Sequence, residues 1–349
     1  MTVTAATTIG QRLPEGVRRF GPAWMAMPWG VMGAVVAAAL VSAGPQRGWA
    51  AWPFLISVWL LGMPHGALDL KLWWQGLGTG GRRWRAAGVY LAVMAAALAV
   101  LWVWPWWTLL GFVVLTVVHF GSADARDAAW IAGGERIGGV PLWLTAAGRG
   151  GFLLALPFVW EPSGAMVPAV VAGELLHAPA PGFDPSRVRL AGAVGVGLGA
   201  ALCFVGALMT WGRWQARDRD RNASGATGRC LAVHGGEMSL LALAAAALEP
   251  MLFVGVYFLG WHALRHFRRV DQLTGQPAPP FWPSLGRQHL AALPLLLPTN
   301  AVYLAVGASV IGWRDPMAWA VLLLLFFVVL TPAHHLLVER AIARAWRRS

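Results

Sequence analysis

The stretch Ala318-Trp319-Ala320-Val321-Leu322-Leu323-Leu324-Leu325-Phe326-Phe327-Val328-Val329-Leu330 carries no ionisable side chain, and the apolar run around it extends over residues 317–338. A run of about 20 apolar residues is long enough to cross the hydrocarbon core of a bilayer as a helix. Only helices and closed barrels can cross, because no water is present to satisfy an unpaired backbone N–H or C=O. A barrel strand would alternate apolar and polar residues over about ten positions; this run is apolar throughout, which selects helix. Nine further stretches read the same way: 25–43, 51–74, 87–104, 106–121, 139–160, 188–211, 230–248, 250–266 and 289–311. The expected fold is all-α, a polytopic transmembrane helical bundle of about ten spans. Composition agrees, with 58% hydrophobic and only 12% charged residues, where soluble domains carry about 25% charged.

Proline marks several boundaries, at Gly44-Pro45, Pro105 and Glu249-Pro250, because it disfavours helical geometry in the residue before it. The stretch 164–178 is apolar but short and holds Pro168 and Glu174; it reads as re-entrant or interfacial. No linker divides the chain, so residues 1–349 form a single integral membrane domain with a core over 50–340. The net charge of +12 raises nucleic acid as a partner, but the arginines sit at segment ends, with no basic stripe on a soluble domain. That distribution marks topology signals and contacts with membrane lipids. Arginines collect at Arg12–Arg19, Arg82–Arg85, Arg213–Arg229, Arg265–Arg287 and Arg340–Arg348. Ten spans put all five groups on one side, with both termini cytoplasmic and residues 1–24 as a cytoplasmic tail rather than a signal peptide. The expected location is the cell (inner) membrane. Two cysteines, Cys203 and Cys230, support neither a disulfide framework nor a zinc site.

The histidines are informative by position. His65, His119, His234, His262, His266, His334 and His335 all fall in the cytoplasmic half of the bundle, on five spans; His289 opens a span on the same side and His177 lies elsewhere. Ionisable groups are costly in a membrane and face the bundle interior, and helices that each donate an imidazole at one depth build metal and cofactor sites. His65 is followed one turn later by Asp69, and His119 by Asp124 five residues on. Trp261-His262-Ala263-Leu264-Arg265-His266 puts two imidazoles at i and i+4, and the neighbouring arginines read as topology signals. His234 precedes Glu237, and His334-His335 precedes Glu339. Carboxylates beside ligand histidines fix the ring tautomer and raise ligand basicity. Imidazole donors suit iron, copper, zinc or nickel. A nitrogen site without thiolates, facing an apolar lumen, points to redox or oxygen chemistry on a lipid-soluble substrate.

Pro64-His65-Gly66-Ala67-Leu68-Asp69 and His119-Phe120-Gly121 with Asp124, in this order on alternate spans, together with Trp261-His262 and His266, resemble the Brp/Blh family of membrane β-carotene 15,15′-dioxygenases over about residues 50–340. The resemblance implies a carotenoid substrate taken from the bilayer, O2 as co-substrate, and scission of the central double bond to two retinal molecules. It implies a non-haem Fe(II) centre, with His65, His119, His262 and His266 matching the family's proposed iron ligands. Asp69, Asp124, His234, Glu237, His335 and Glu339 are then candidates to orient those ligands. Phe120, Tyr257, Phe258 and Trp261 neighbour them and are expected to wall the substrate slot. The first span, 25–43, and the arginine-rich loop 212–229 look like additions to the family's common core.

Three other readings compete. A di-iron lipid hydroxylase or desaturase needs several HxxxH and HxxHH boxes, and only His262/His266 supplies one. A haem-carrying bundle needs two facing histidines, and a carotenoid- or retinal-binding protein without catalysis needs none. A retinal Schiff base is not suggested by Lys71, the only lysine in the chain.

Overall fold

The structure, a computed structural model, describes residues 22–41, 50–57, 59–60, 64, 67, 81–133, 137–217, 223–267, 280–313 and 315–348. His65, Asp69 and most of the expected N-terminal tail lie outside these residues, and the side chains of Cys230 and Glu339 are outside the described ones. Among the described residues there is no strand. The helices are α1 (Pro22–Val41), α2 (Ala51–Ser57), α3 (Gly81–Val103), α4 (Pro105–Gly133), α5 (Gly139–Trp160), α6 (Pro162–Leu175), α7 (Pro185–Arg217), α8 (Ala223–Ala247), α9 (Pro250–Tyr257), α10 (Phe281–Val310) and α11 (Pro316–Arg348). A π-helical segment, Phe258–Ala263, continues α9, and helical geometry runs on through residue 267.

Proline opens α1, α4, α6, α7, α9 and α11, where its missing N–H costs nothing and its fixed φ suits the first turn. Three of these starts are also capped by carboxylates, among them α7, where Asp184 accepts from the Ser186 backbone N–H at 2.8 Å. Glu249 accepts from the backbone N–H groups of Met251 and Leu252 at 2.8 and 3.0 Å, and Asp315 accepts from Met317 and Ala318 at 2.9 and 3.2 Å. Among the described residues, six helices are long and apolar enough to cross a membrane: Arg83–Val103, Pro105–Ala129, Val140–Trp160, Pro185–Trp214, Phe281–Val310 and Pro316–Leu336. Of the other four expected spans, 25–43 falls on α1, of 20 residues, and 230–248 on α8, of 25 residues; the described part of 51–74 includes α2, and 250–266 is α9 with its π-helical continuation. The stretch expected to be re-entrant or interfacial forms α6, of 14 residues. At 1.5 Å per residue it is about 21 Å long, short of a hydrocarbon core of about 30 Å.

The centre of the bundle is α5, clamped between α4 and α7 by glycine. A Cβ on Gly121 of α4 would overlap the Ala146 carbonyl of α5, and one on Gly150 of α5 would overlap the Val117 carbonyl of α4. On the other side, a Cβ on Gly148 would overlap the backbone at Cys203 of α7. With no hydrophobic drive between helices in lipid, such close backbone approach supplies the attraction.

This packing surrounds a buried ion network. Arg149, in the middle of α5, is 3% exposed; Asp124 of α4, Glu237 of α8 and Arg265 are 3%, 0% and 3% exposed. Glu237 accepts short hydrogen bonds from Arg149 and from Arg265, one on each carboxylate oxygen. Asp124 lies 3.7 Å from Arg149 and 3.6 Å from Arg265. Two cations and two anions thus neutralise each other at the meeting point of α4, α5, α8 and the α9 continuation. Arg149 and Arg265 correct the expectation that the arginines sit at segment ends as topology signals, because both are interior and ion-paired. Asp124 is likewise held by arginines and does not sit in solvent.

Two stability outcomes follow. Gly148→Val forces α5 away from α7 and is expected to cost about 1–3 kcal/mol, lowering the Tm of the detergent-solubilised protein. Gly197→Ala, at a helical position with nothing within 4 Å of the added Cβ, is expected to leave the Tm unchanged or slightly higher. Arg149→Met leaves Glu237 and Asp124 with one counter-charge and is expected to cost about 3–5 kcal/mol. The double change Arg149→Met with Glu237→Gln restores the charge balance and should recover part of the Tm loss.

Candidate functional site: a histidine cluster at the head of an apolar cavity

Three helices bring imidazoles together. His119 lies in the middle of α4, His262 in the π-helical segment, and His334 and His335 on α11. From the ring of His119, the centroids of His262, His334 and His335 are 5.4, 5.5 and 5.6 Å away. The Nδ1 atoms of His335 and His119 are 3.5 Å apart, within hydrogen-bond reach. π-Helical turns are rare and occur mostly at functional positions; here the wide turn carries His262, whose ring lies 4.5 Å from Phe120 and 5.7 Å from Phe258. His266 follows one turn on, 2–4% exposed like His262, with its ring nearly parallel to that of His262 and 6.4 Å away.

An imidazole nitrogen sits about 2.0–2.1 Å from a bound first-row metal, which puts two rings on one ion roughly 5 Å apart between centroids. The separations around His119 are close to that value, and the donors are nitrogens without a thiolate, a set that suits iron. No group of three or more His, Cys, Asp or Glu side chains among the described residues converges tightly enough to hold a metal ion. The described imidazoles are neighbours in chemistry and spacing, and His65, the remaining expected ligand, lies outside the described residues. Imidazole nitrogens of this kind are donors that iron, copper, zinc or nickel accepts.

The expected orienting residues divide into two groups. His335 contacts His119 directly. Asp124, His234 and Glu237 belong to the ion network: Arg149 lies 2.9 Å from Nδ1 of His234 and bonds Glu237, while Cys203 lies 3.8 Å from the same His234 nitrogen. The two groups are joined by Tyr257, whose hydroxyl donates to Asp124 at 3.2 Å and whose ring stacks at 6.3 Å on His262. Sequence reasoning did not single out Arg149. Its signal was present, as a lone arginine in mid-span between Gly148 and Gly150.

An apolar cavity of about 770 Å³ opens beneath the histidines, with His119 and His334 among its lining residues. That size falls within the range of about 300–1,000 Å³ typical of small-molecule sites. Phe120, Tyr257 and Phe258 line it, as expected, together with Phe54, Phe112 and Phe327. Trp261 does not line it. Its ring lies 6.0 Å from Trp29 of α1 and 4.1 Å beneath the Arg265 guanidinium, so it supports the ion network from below. His289 is also elsewhere, with Nδ1 2.9 Å from the Leu285 carbonyl.

A family model described as Beta-carotene 15,15'-dioxygenase matches residues 56–341, which contain the histidine cluster, the cavity and the ion network. The chain is 30% identical over 334 residues to a protein of Halobacterium salinarum named probable beta-carotene 15,15'-dioxygenase Blh, covering 89% of this chain and 88% of that one. It is 36% identical over 76 residues to a beta-carotene 15,15'-dioxygenase of an uncultured marine bacterium, covering 21% of this chain and 28% of the relative. No solved structure matches. With a histidine cluster on three helices above an apolar cavity and a family match over most of its length, the chain belongs to the Brp/Blh family of β-carotene 15,15′-dioxygenases.

Proposed function

We propose that this protein cleaves the central 15,15′ double bond of β-carotene with O2, giving two molecules of retinal, at a non-haem Fe(II) held by His65, His119, His262 and His266. The observation that carries the reading is the pairing of His119 and His334 with a largely apolar, aromatic-walled cavity: imidazole donors occur where a polyene would be bound. The reaction balances without a further reductant. One oxygen atom of O2 goes to each carbon of the severed bond, and two C=O bonds replace the C=C and O=O bonds.

Bound iron supplies the means of activating O2 beside a double bond. The chain's own residues bind and orient. Phe120, Phe112, Phe258 and Phe327 contact a conjugated chain through their faces and edges. Apolar walls admit O2, which is itself apolar, and exclude bulk water. His335 restrains the His119 ring from one side, and the Asp124–Tyr257 hydrogen bond restrains the wall beside His262. The protein sits in the cell membrane as a bundle of about ten spans with both termini cytoplasmic, and the substrate comes from the surrounding lipid.

The test is co-expression in a β-carotene-producing bacterial host, with extraction and chromatography. Wild type should bleach the cells and accumulate retinal. His119→Ala and His262→Ala, each shown to be membrane-inserted, should lower retinal by at least about 100-fold, the upper end of the loss from disturbing even a ligand's outer partner. In detergent, a ferrous chelator should abolish turnover, and Fe(II) but not Zn(II) should restore it. Unchanged pigment with inserted, iron-loaded protein would overturn the reading.

A further inference from the structure

The cavity has a direction. Among the helices that line it, three carry the lining up to the histidines. On α4 the lining runs from Leu109 to His119, on α11 from Val321 to His334, and on α9 from Pro250 to Phe258, just short of His262. The helical rise of 1.5 Å per residue makes the α4 and α11 runs about 15 and 20 Å long. The imidazoles therefore stand at the head of an arm, not midway along it.

The foot of the arm is closed by α6. Ala165, Met166, Pro168, Ala169 and Ala172 line the cavity, and Ala172 is buried in one cluster with Val321 and Leu325 of α11 and Leu101 of α3. The helix is fixed there at both ends. It follows α5 directly after Glu161, and the indole of Trp106, in the first turn of α4, donates to the Pro179 carbonyl at 3.1 Å. Its other face is turned outward, with Val167 exposed. A helix too short to span is thus built in as a floor beneath the histidines.

Covalent bond lengths fix the reach of a chain: an all-trans polyene advances roughly 1.2 Å per bond, so nine bonds and a terminal ring place the centre of β-carotene roughly 15 Å from its tip. That half-length matches the depth of the arm. The volume is ample for the ring, and a conjugated chain does not fold to use the extra width, so length alone sets the register. We propose that α6 is a ruler: the ring of one half of β-carotene rests on the floor formed by Met166 and Ala169, and the arm's depth brings the 15,15′ bond to the histidines. The other half of the molecule remains outside the arm. Floor residues, and not the histidines, then select central over eccentric cleavage. This inference rests on the carotenoid-cleaving function proposed above and adds the residues that determine where the bond is cut.

The experiment changes the floor and reads the cut by liquid chromatography and mass spectrometry in the β-carotene-producing host. Ala169→Phe raises the floor and Met166→Ala lowers it. Because β-carotene is symmetric, a shift to the next double bond, two bonds away in either direction, gives the same signature: two unequal carbonyl products, one longer and one shorter than retinal, replacing the single C20 product. Leu91→Phe, on the side wall, should change the rate and leave the products equal. Met166→Ala is a truncation and keeps the test open should Ala169→Phe fail to fold. Retinal alone from wild type and from both inserted floor variants would overturn the ruler while leaving the proposed function intact. Absence of any cleavage by inserted, iron-loaded wild type would instead overturn the function on which the ruler rests.

Discussion

Charge carried into hydrocarbon has to be met by opposite charge, and the rest of this bundle is arranged around one such meeting. Arg149, Arg265, Asp124 and Glu237 are each almost wholly removed from their surroundings. Leaving any one of them uncompensated would cost several kcal/mol, so the four must arrive together. They come from four separate helical elements, which ties the registers of α4, α5, α8 and the α9 continuation to one another. The glycines at the α4–α5 and α5–α7 crossings serve the same end. They let backbones approach closely enough for Arg149 to reach across to α8 without a gap that water would have to fill.

The network also holds the π-helical stretch Phe258–Ala263. Asp124 accepts from Tyr257 with one oxygen and lies 3.6 Å from Arg265 through the other. Tyr257 immediately precedes the π-helical segment and Arg265 follows it. A single carboxylate thus pins the wide turn on both sides, and His262 sits between the pins. An irregular turn within a membrane is tolerated only where its backbone groups are satisfied by surrounding protein, and this one packs against Trp29 and Phe120. The result is an imidazole whose position is set by packing and charge before anything binds to it.

Much of this was legible in the sequence. Apolar run length identified the class of fold, prolines located helix starts, and the histidines' common depth predicted that His119 and His262 would meet. Other features were hidden by averaging. Arg265 was read by its type, as a charge that orients a membrane protein, and Arg149 was passed over, because a hydropathy window registers one arginine as a small dip whether it faces lipid headgroups or a buried carboxylate. The pairing of Glu237 with two arginines depends on helices far apart in the chain, which no local spacing reports. His334 and His335 stand side by side, so sequence alone does not say which one faces the cavity. The role of α6 was also out of reach: its length marked it as unable to span, but only packing shows what it covers.

The motif His119-Phe120-Gly121-Ser122-Ala123-Asp124 shows why short spacings carry so much here. Residues five apart on a helix point about 140° away from each other, so His119 and Asp124 cannot serve the same compartment. His119 faces the cavity and Asp124 faces the ion network, which makes α4 the wall between them. Phe120 lines the cavity and shields His262 from it. Gly121 gives the contact with α5, since any side chain there would strike the Ala146 carbonyl. Ser122 donates to the His119 carbonyl at 3.2 Å, satisfying itself within the helix. Tyr257 links the two sides of this wall, with its hydroxyl on the charged side and its ring on the apolar side. A bundle that must keep a dry cavity a few ångströms from four buried charges needs such a partition, and a spacing of five residues on one helix supplies it.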